Sequence, residues 1–141
     1  MKRSASAVWK GGFRDGKGTI STDSGVLSDT PYSFKARFED ETGTNPEELI
    51  AAAHAGCFTM ALSGQLSEAG FVPDNINTAA SVTLEKMDDG FTITSVHLDV
   101  KAKVPGASQD AFETAVNNAK TGCPVSKVLN AQITMEANLE E

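Results

Sequence analysis

The chain has 141 residues, with 12 Lys and Arg against 19 Asp and Glu, a net charge of −7, and 40% hydrophobic residues. This length suits a single domain spanning residues 1–141, large enough to bury a core without structural disulfides or a structural metal. An acidic chain with no Lys/Arg run lacks the cationic surface that displaces counterions from phosphates, so no nucleic-acid partner is expected.

The basic start at Met1-Lys2-Arg3 is followed by Lys10, Gly11, Gly12 and Arg14 where an export signal needs an apolar stretch. No secretion signal is read, and a reducing, cytoplasmic location is expected. Ser4 to Gly12 reads as a short strand, Asp15-Gly16 as a turn and Gly18 to Ser21 as a second strand, with Ser28 to Pro31 as a loop. Ser33 to Glu39 alternates, with Phe34, Ala36 and Phe38 on one face and Lys35, Arg37 and Glu39 on the other, which reads as a strand.

Asn45 is a good N-cap, Pro46 suits the first helical position, and Glu47 and Glu48 suit the positive end of the helix dipole. The helix is expected to run to about Ala69, with Gly70 as its stop. Leu49 to Ser67 contains no charged residue. Its alanines, glycines, serines, His54 and Gln65 make it too polar for a membrane span, so it is read as a helix enclosed by sheet on one side and helix on the other. No membrane partner is expected.

Thr78 to Lys86 alternates as a strand, Asp88-Asp89-Gly90 signals a hairpin, and a long strand runs from Phe91 to Val104. The apolar face of that strand shifts from odd to even positions, which predicts a bulge near Ser95. Ser108 caps a helix to about Lys120, Cys123-Pro124 opens a short helix to about Leu129, and Ala131 to Leu139 is a last strand. Helices and antiparallel hairpins in this order predict an α+β sandwich.

Chemistry centres on the two cysteines, Cys57 in mid-helix and Cys123 at a helix start. In a reducing compartment two cysteines are inert core residues, metal ligands or redox-active thiols. Metal is disfavoured, because a zinc site needs about four ligands and only His54 and His97 stand beside the cysteines; no cofactor is expected either. The thiolate is the reactive form, so Cys123 gains from amide dipoles at its helix start, whereas Cys57 needs an external cation. An arginine is the natural choice, since it stays charged when desolvated.

The run Gly43-Thr44-Asn45-Pro46-Glu47-Glu48-Leu49-Ile50-Ala51-Ala52-Ala53-His54-Ala55-Gly56-Cys57-Phe58 resembles the core motif of the osmotically inducible protein C (OsmC) family, as does Gly122-Cys123-Pro124-Val125-Ser126. The organic hydroperoxide resistance (Ohr) proteins share both motifs. Gly16 to Leu27 and Arg37-Phe38-Glu39 are similar to the osmotically inducible branch. The resemblance implies an OsmC-like α+β fold, with antiparallel sheets wrapped around paired central helices in an intertwined homodimer. It also implies a thiol-dependent peroxidase that reduces organic hydroperoxides, and hydrogen peroxide to a varying extent. A lipoyl-type dithiol is the implied reductant.

By matching position, Cys57 is the peroxidatic cysteine, Cys123 the resolving one, and Glu47 with an arginine completes the site. Arg37 is preferred, and the alternative is Arg14 in the loop Gly11 to Gly16. About ten positions of helix separate Glu47 from Cys57, roughly 15 Å, so Glu47 reaches the site only through the arginine, or if the first turn is set off from the main helix. Glu47 alone reads as an ordinary first-turn acid.

His54, one turn before Cys57, is a base toward the thiol or, in the preferred reading, a hydrogen-bonded packing residue at a dimer interface. Phe58, Met60 and Leu62 are candidates for an apolar lining, or simply core. The competing functions are a general disulfide oxidoreductase, disfavoured by the lack of a CxxC pair, and a non-enzymatic stress or small-molecule-binding protein.

Overall fold

A computed structural model describes residues 1–141 in full. The elements run β1 (Ala5–Lys10), β2 (Lys17–Thr22), β3 (Thr30–Tyr32), α1 (Phe34–Phe38), α2 (Pro46–Glu68), β4 (Asn75–Met87), β5 (Gly90–Lys103), α3 (Gln109–Gly122), α4 (Pro124–Val128) and β6 (Gln132–Glu140). They fall into two compact units, Met1–Leu49 and Ile50–Glu141.

In the first unit, β1, β2 and β3 form an antiparallel sheet in that order. Part of the expected loop is strand β3, which pairs Thr30 to Tyr32 with Gly18 to Ile20. The segment Phe34–Phe38 is a helix, not the expected strand. Its N-terminus is set by Ser33, whose hydroxyl accepts the Ala36 N–H at 3.1 Å. Phe34 and Phe38 are one helical turn apart, with ring centroids 4.9 Å from each other. Apolar residues four apart fit both a two-residue and a helical repeat, so local capping decided the outcome.

The chain then turns at Gly43, whose φ of +137° is open to glycine alone among common residues. A β-carbon there would lie 2.8 Å from the Pro31 carbonyl oxygen. Thr44 N–H bonds that same carbonyl at 3.0 Å. Asn45 caps α2 as expected, its Oδ1 accepting the Glu48 N–H at 2.8 Å, while its Nδ2 donates to the Ala36 carbonyl at 3.3 Å. These bonds fix where α2 begins relative to α1, and therefore where Glu47 points.

The second unit is built on β4, β5 and β6. β4 and β5 form a hairpin closed at Met87 and Gly90. Their register slips between Thr83 and Leu84, opposite Ser95 and Ile93, so Thr94 is the extra residue of a bulge beside the expected position. Past it, Val96, Leu98, Val100 and Ala102 all point into the core. One pair departs from the antiparallel expectation: β6 runs parallel to β5. α3 and α4 intervene between the two strands, and a helical crossover returns the chain in the same direction.

The core of this unit gathers Phe58, Leu62 and Leu66 from α2, the even positions of β5, and Phe112, Ala115, Val116 and Ala119 from α3. α2 is long and apolar enough to cross a membrane by length and composition. Here it lays Phe58, Leu62 and Leu66, spaced four apart, into that core. Both β5 and α3 contribute to that core, but the expected enclosure of α2 is not complete within one chain. Ala52, Ala53, Gly56, Met60 and Gly64 are exposed.

Candidate active site

The two cysteines, 66 positions apart in sequence, lie together in the second unit. Cys57 Sγ and Cys123 Sγ lie 2.7 Å apart, within hydrogen-bond reach, and both are free thiols. α2 presents Cys57 beside the core-facing Phe58. Cys123 stands at the junction of α3 and α4: its N–H closes the last turn of α3 on the Ala119 carbonyl at 3.0 Å, and its carbonyl accepts the Lys127 N–H at 3.1 Å. Pro124 at the first position of α4 has no N–H to satisfy, so the new helix starts there without an orphaned donor. Cys123 is buried and Cys57 partly so.

Burial pushes the Cys57 thiol above its ordinary value, and the hydrogen bond to Cys123 pushes it further. A hydrogen bond from the Val125 backbone pulls the other way. The second residue of α4 therefore contacts Cys57, a contact that spacing alone did not reveal. The net direction is upward, so Cys57 as it stands is mostly thiol at neutral pH and needs added positive charge to become thiolate.

The first unit contains the paired Arg37 and Glu47. Arg37 Nε donates to Glu47 Oε1 at 2.9 Å and Arg37 Nη2 donates to Oε2 at 3.2 Å, a two-point fork on the Nε–Nη2 edge of the guanidinium. The guanidinium also stacks over Phe38, 5.1 Å from the ring centroid. Glu47 is nearly buried, and Glu48 bonds Thr44 Oγ1 instead. Arg14 lies over the Phe34 ring at 4.8 Å. Within this unit Glu47 is thus joined to Arg37, the arginine preferred on sequence grounds.

His54 is fully buried, and its Nε2 lies 2.7 Å from Ser126 Oγ. Its Nδ1 is buried with no partner. Ser126 closes the motif Gly122 to Ser126, and its role is not evident from the sequence. The one signal there is that His54 precedes Cys57 by the same three residues that separate Cys123 from Ser126. Phe58 and Leu62 are core residues rather than an apolar lining, and Met60 faces outward at 79% exposure. No group of three or more His, Cys, Asp or Glu is placed to hold a metal ion.

Burial holds the His54 imidazole below its ordinary value of 6.5, so the folded chain keeps it neutral. The unfolded chain takes up that proton as pH falls below 6.5, while the folded chain does not. The His54 contribution to stability is therefore complete above pH 6.5 and is lost as pH falls through the lowered folded value. Denaturation midpoints measured from neutral to mildly acid pH are expected to fall more steeply for the wild type than for His54→Gln. Parallel curves would contradict the assignment.

Residues 39–138 match the family model described as OsmC-like protein. The chain belongs to the OsmC-like family. It is 53% identical to peroxiredoxin OsmC of Escherichia coli K12 over 140 residues, covering 99% of this chain and 98% of that one. It is 34% identical to the organic hydroperoxide resistance protein OhrB of Bacillus subtilis, covering 87% and 89%. The crystal structure of OhrB superposes with a TM-score of 0.70 at 28% identity, covering 96% of this chain and 98% of that one. An OsmC-like protein from Vibrio cholerae matches in fold alone, with a TM-score of 0.78 at 19% identity, covering 98% and 99%.

Proposed function

We propose that this protein is a thiol-dependent peroxidase that reduces organic hydroperoxides through Cys57 and Cys123. The observation that carries this reading is the meeting of two free thiols, Sγ to Sγ at 2.7 Å, on separate helices of a chain whose full-length relatives are named for peroxide chemistry. In the first step Cys57 thiolate attacks the distal oxygen of ROOH. An S–O bond forms and the O–O bond breaks. The alkoxide leaves and takes a proton as alcohol, and Cys57 becomes a sulfenic acid.

In the second step the Cys123 sulfur attacks the sulfenic sulfur. The S–S bond forms, and the sulfenic oxygen leaves as water with the thiol proton. A dithiol of the lipoyl type then exchanges with the disulfide, restoring both thiols and closing its own disulfide. No cofactor or metal takes part.

By motif resemblance, Arg37 is the cation this reading assigns to the Cys57 thiolate, and Glu47 holds that arginine by its Nε–Nη2 edge. The working unit is a homodimer. The exposed small-residue face of α2, Ala52, Ala53, Gly56 and Gly64, suits close approach of a second copy of the helix. A sedimenting species of twice the chain mass at micromolar concentration is expected; a monomer there contradicts the dimer. Thiols that must return to the reduced state each cycle fit a cytoplasmic setting.

The test of function is turnover. The protein, cumene hydroperoxide and a lipoyl-type dithiol together should release cumyl alcohol catalytically, and no release above the protein-free rate would refute the reading. The two relatives of known name favour this over a general disulfide oxidoreductase or a binding protein.

A further inference from the structure

The thiol-peroxidase reading leaves one buried polar contact without a role. α4 has five residues and buries none of its side chains completely. A helix that short cannot hold itself in place, since one turn barely repays its nucleation cost. Yet it carries Ser126, and its start defines where Cys123 stands. His54 reaches across from α2 to Ser126 at 2.7 Å. The bond thus joins the two cysteine-bearing segments one turn from each sulfur.

The bond also has a defined sense. With Nδ1 buried and unpartnered, a hydrogen there would be an orphaned donor, which folded proteins rarely tolerate; a bare lone pair is the lesser cost. The proton therefore sits on Nε2, which donates to Ser126 Oγ. Ser126 supplies the partner for this buried ring, so breaking the bond leaves a buried donor unsatisfied.

We propose that the His54–Ser126 hydrogen bond holds α4 against α2 so that Cys123 stays within reach of Cys57 while the sulfenic acid is resolved. His54 and Ser126 are then positioning residues for disulfide closure. The inference rests on the thiol-peroxidase reading. Its need arises from that chemistry: once Cys57 carries an oxygen, the thiol–thiol contact at 2.7 Å no longer ties the segments. The His54–Ser126 bond is untouched by the oxidation and keeps the two sulfurs in one effective volume. Closure is an intramolecular reaction whose rate depends on that restraint.

The test is a single turnover. Reduced full-length protein receives one equivalent of cumene hydroperoxide, and two rates are read: formation of the sulfenic acid, trapped with a cyclic 1,3-diketone, and its disappearance into disulfide. Ser126→Ala should leave the first rate within about twofold and slow the second by about tenfold or more, so that sulfenic acid accumulates. His54→Leu should do the same, and the double variant should be no worse than either, as for two partners of one bond.

His54→Gln, which keeps a donor near the place of Nε2, should recover part of the closure rate. Ser126 is only partly buried, so Ser126→Ala tests the idea even if His54→Leu fails to fold. Closure at the wild-type rate in Ser126→Ala overturns the proposal, as does equal slowing of both steps, which marks general loss of structure. If the wild type itself forms neither sulfenic acid nor disulfide, the peroxidase reading falls and takes this one with it.

Discussion

Cys57→Ser should abolish hydroperoxide turnover, by at least about 10³-fold, the scale seen when an enzyme loses its nucleophile. A serine hydroxyl in the same partly buried position has no comparable reactivity toward an O–O bond, and the neighbouring Cys123 thiol, fully buried, is not expected to meet the peroxide in its place. Cys123→Ser should fail differently. Its first equivalent of peroxide should be consumed at the normal rate, because Cys57 retains both its position on α2 and the Val125 backbone contact. The sulfenic acid should then persist, open to trapping or to overoxidation by further peroxide. Steady-state turnover with a dithiol should fall sharply, to whatever rate the dithiol attains by attacking the sulfenic acid directly. This difference separates a peroxidatic–resolving pair from two packing cysteines, which would give two equally silent variants. Turnover undiminished in Cys57→Ser contradicts the assignment outright.

Arg37→Ala should lower the rate of Cys57 oxidation at neutral pH by about 10²-fold, as for other sites that lose one fixed charge stabiliser. The cause is the thiol itself. Burial and Cys123 already hold Cys57 above its ordinary value, and without the guanidinium less of it is thiolate. The deficit should therefore shrink as pH rises and the thiol ionises unaided. A deficit independent of pH means that Arg37 acts on the peroxide rather than on the thiol. Arg37→Lys should recover only part of the rate, since a lysine keeps the charge but cannot offer both Nε and Nη2 to Glu47. Glu47→Gln should weaken that fork and give an intermediate loss. If Arg37→Ala changes neither rate nor thiol titration, the cation is supplied elsewhere, and Arg14 becomes the next candidate.

Much of this was legible in the sequence because the residues responsible act locally. Asn45 before Pro46 announces the start of α2, and the Cβ-free Gly70 at φ +90° its end. The switch of apolar parity in β5 betrays the bulge at Thr94, since every side chain beyond it changes face. The failures were of two kinds. Phe34, Ala36 and Phe38 carry a spacing that strand and helix share, and only the Ser33 cap, a side-chain bond of 3.1 Å, broke the tie. The parallel pairing of β5 and β6 is invisible to periodicity, which reports faces and not direction. At the site, the cysteines and the Arg37–Glu47 couple were reached through motif resemblance, not spacing. Ser126 was missed because a hydroxyl three residues past a cysteine has meaning only once the fold sets it against His54, 72 positions earlier in the chain.

The most direct test of the central claim is a thiol count on the wild-type chain after one equivalent of organic hydroperoxide and no reductant. The account predicts that both free thiols disappear together, that one equivalent of alcohol is released, and that peptide mapping finds Cys57 joined to Cys123 within the same chain. Alcohol release with both thiols intact, or a disulfide that joins Cys57 to anything else, would contradict it.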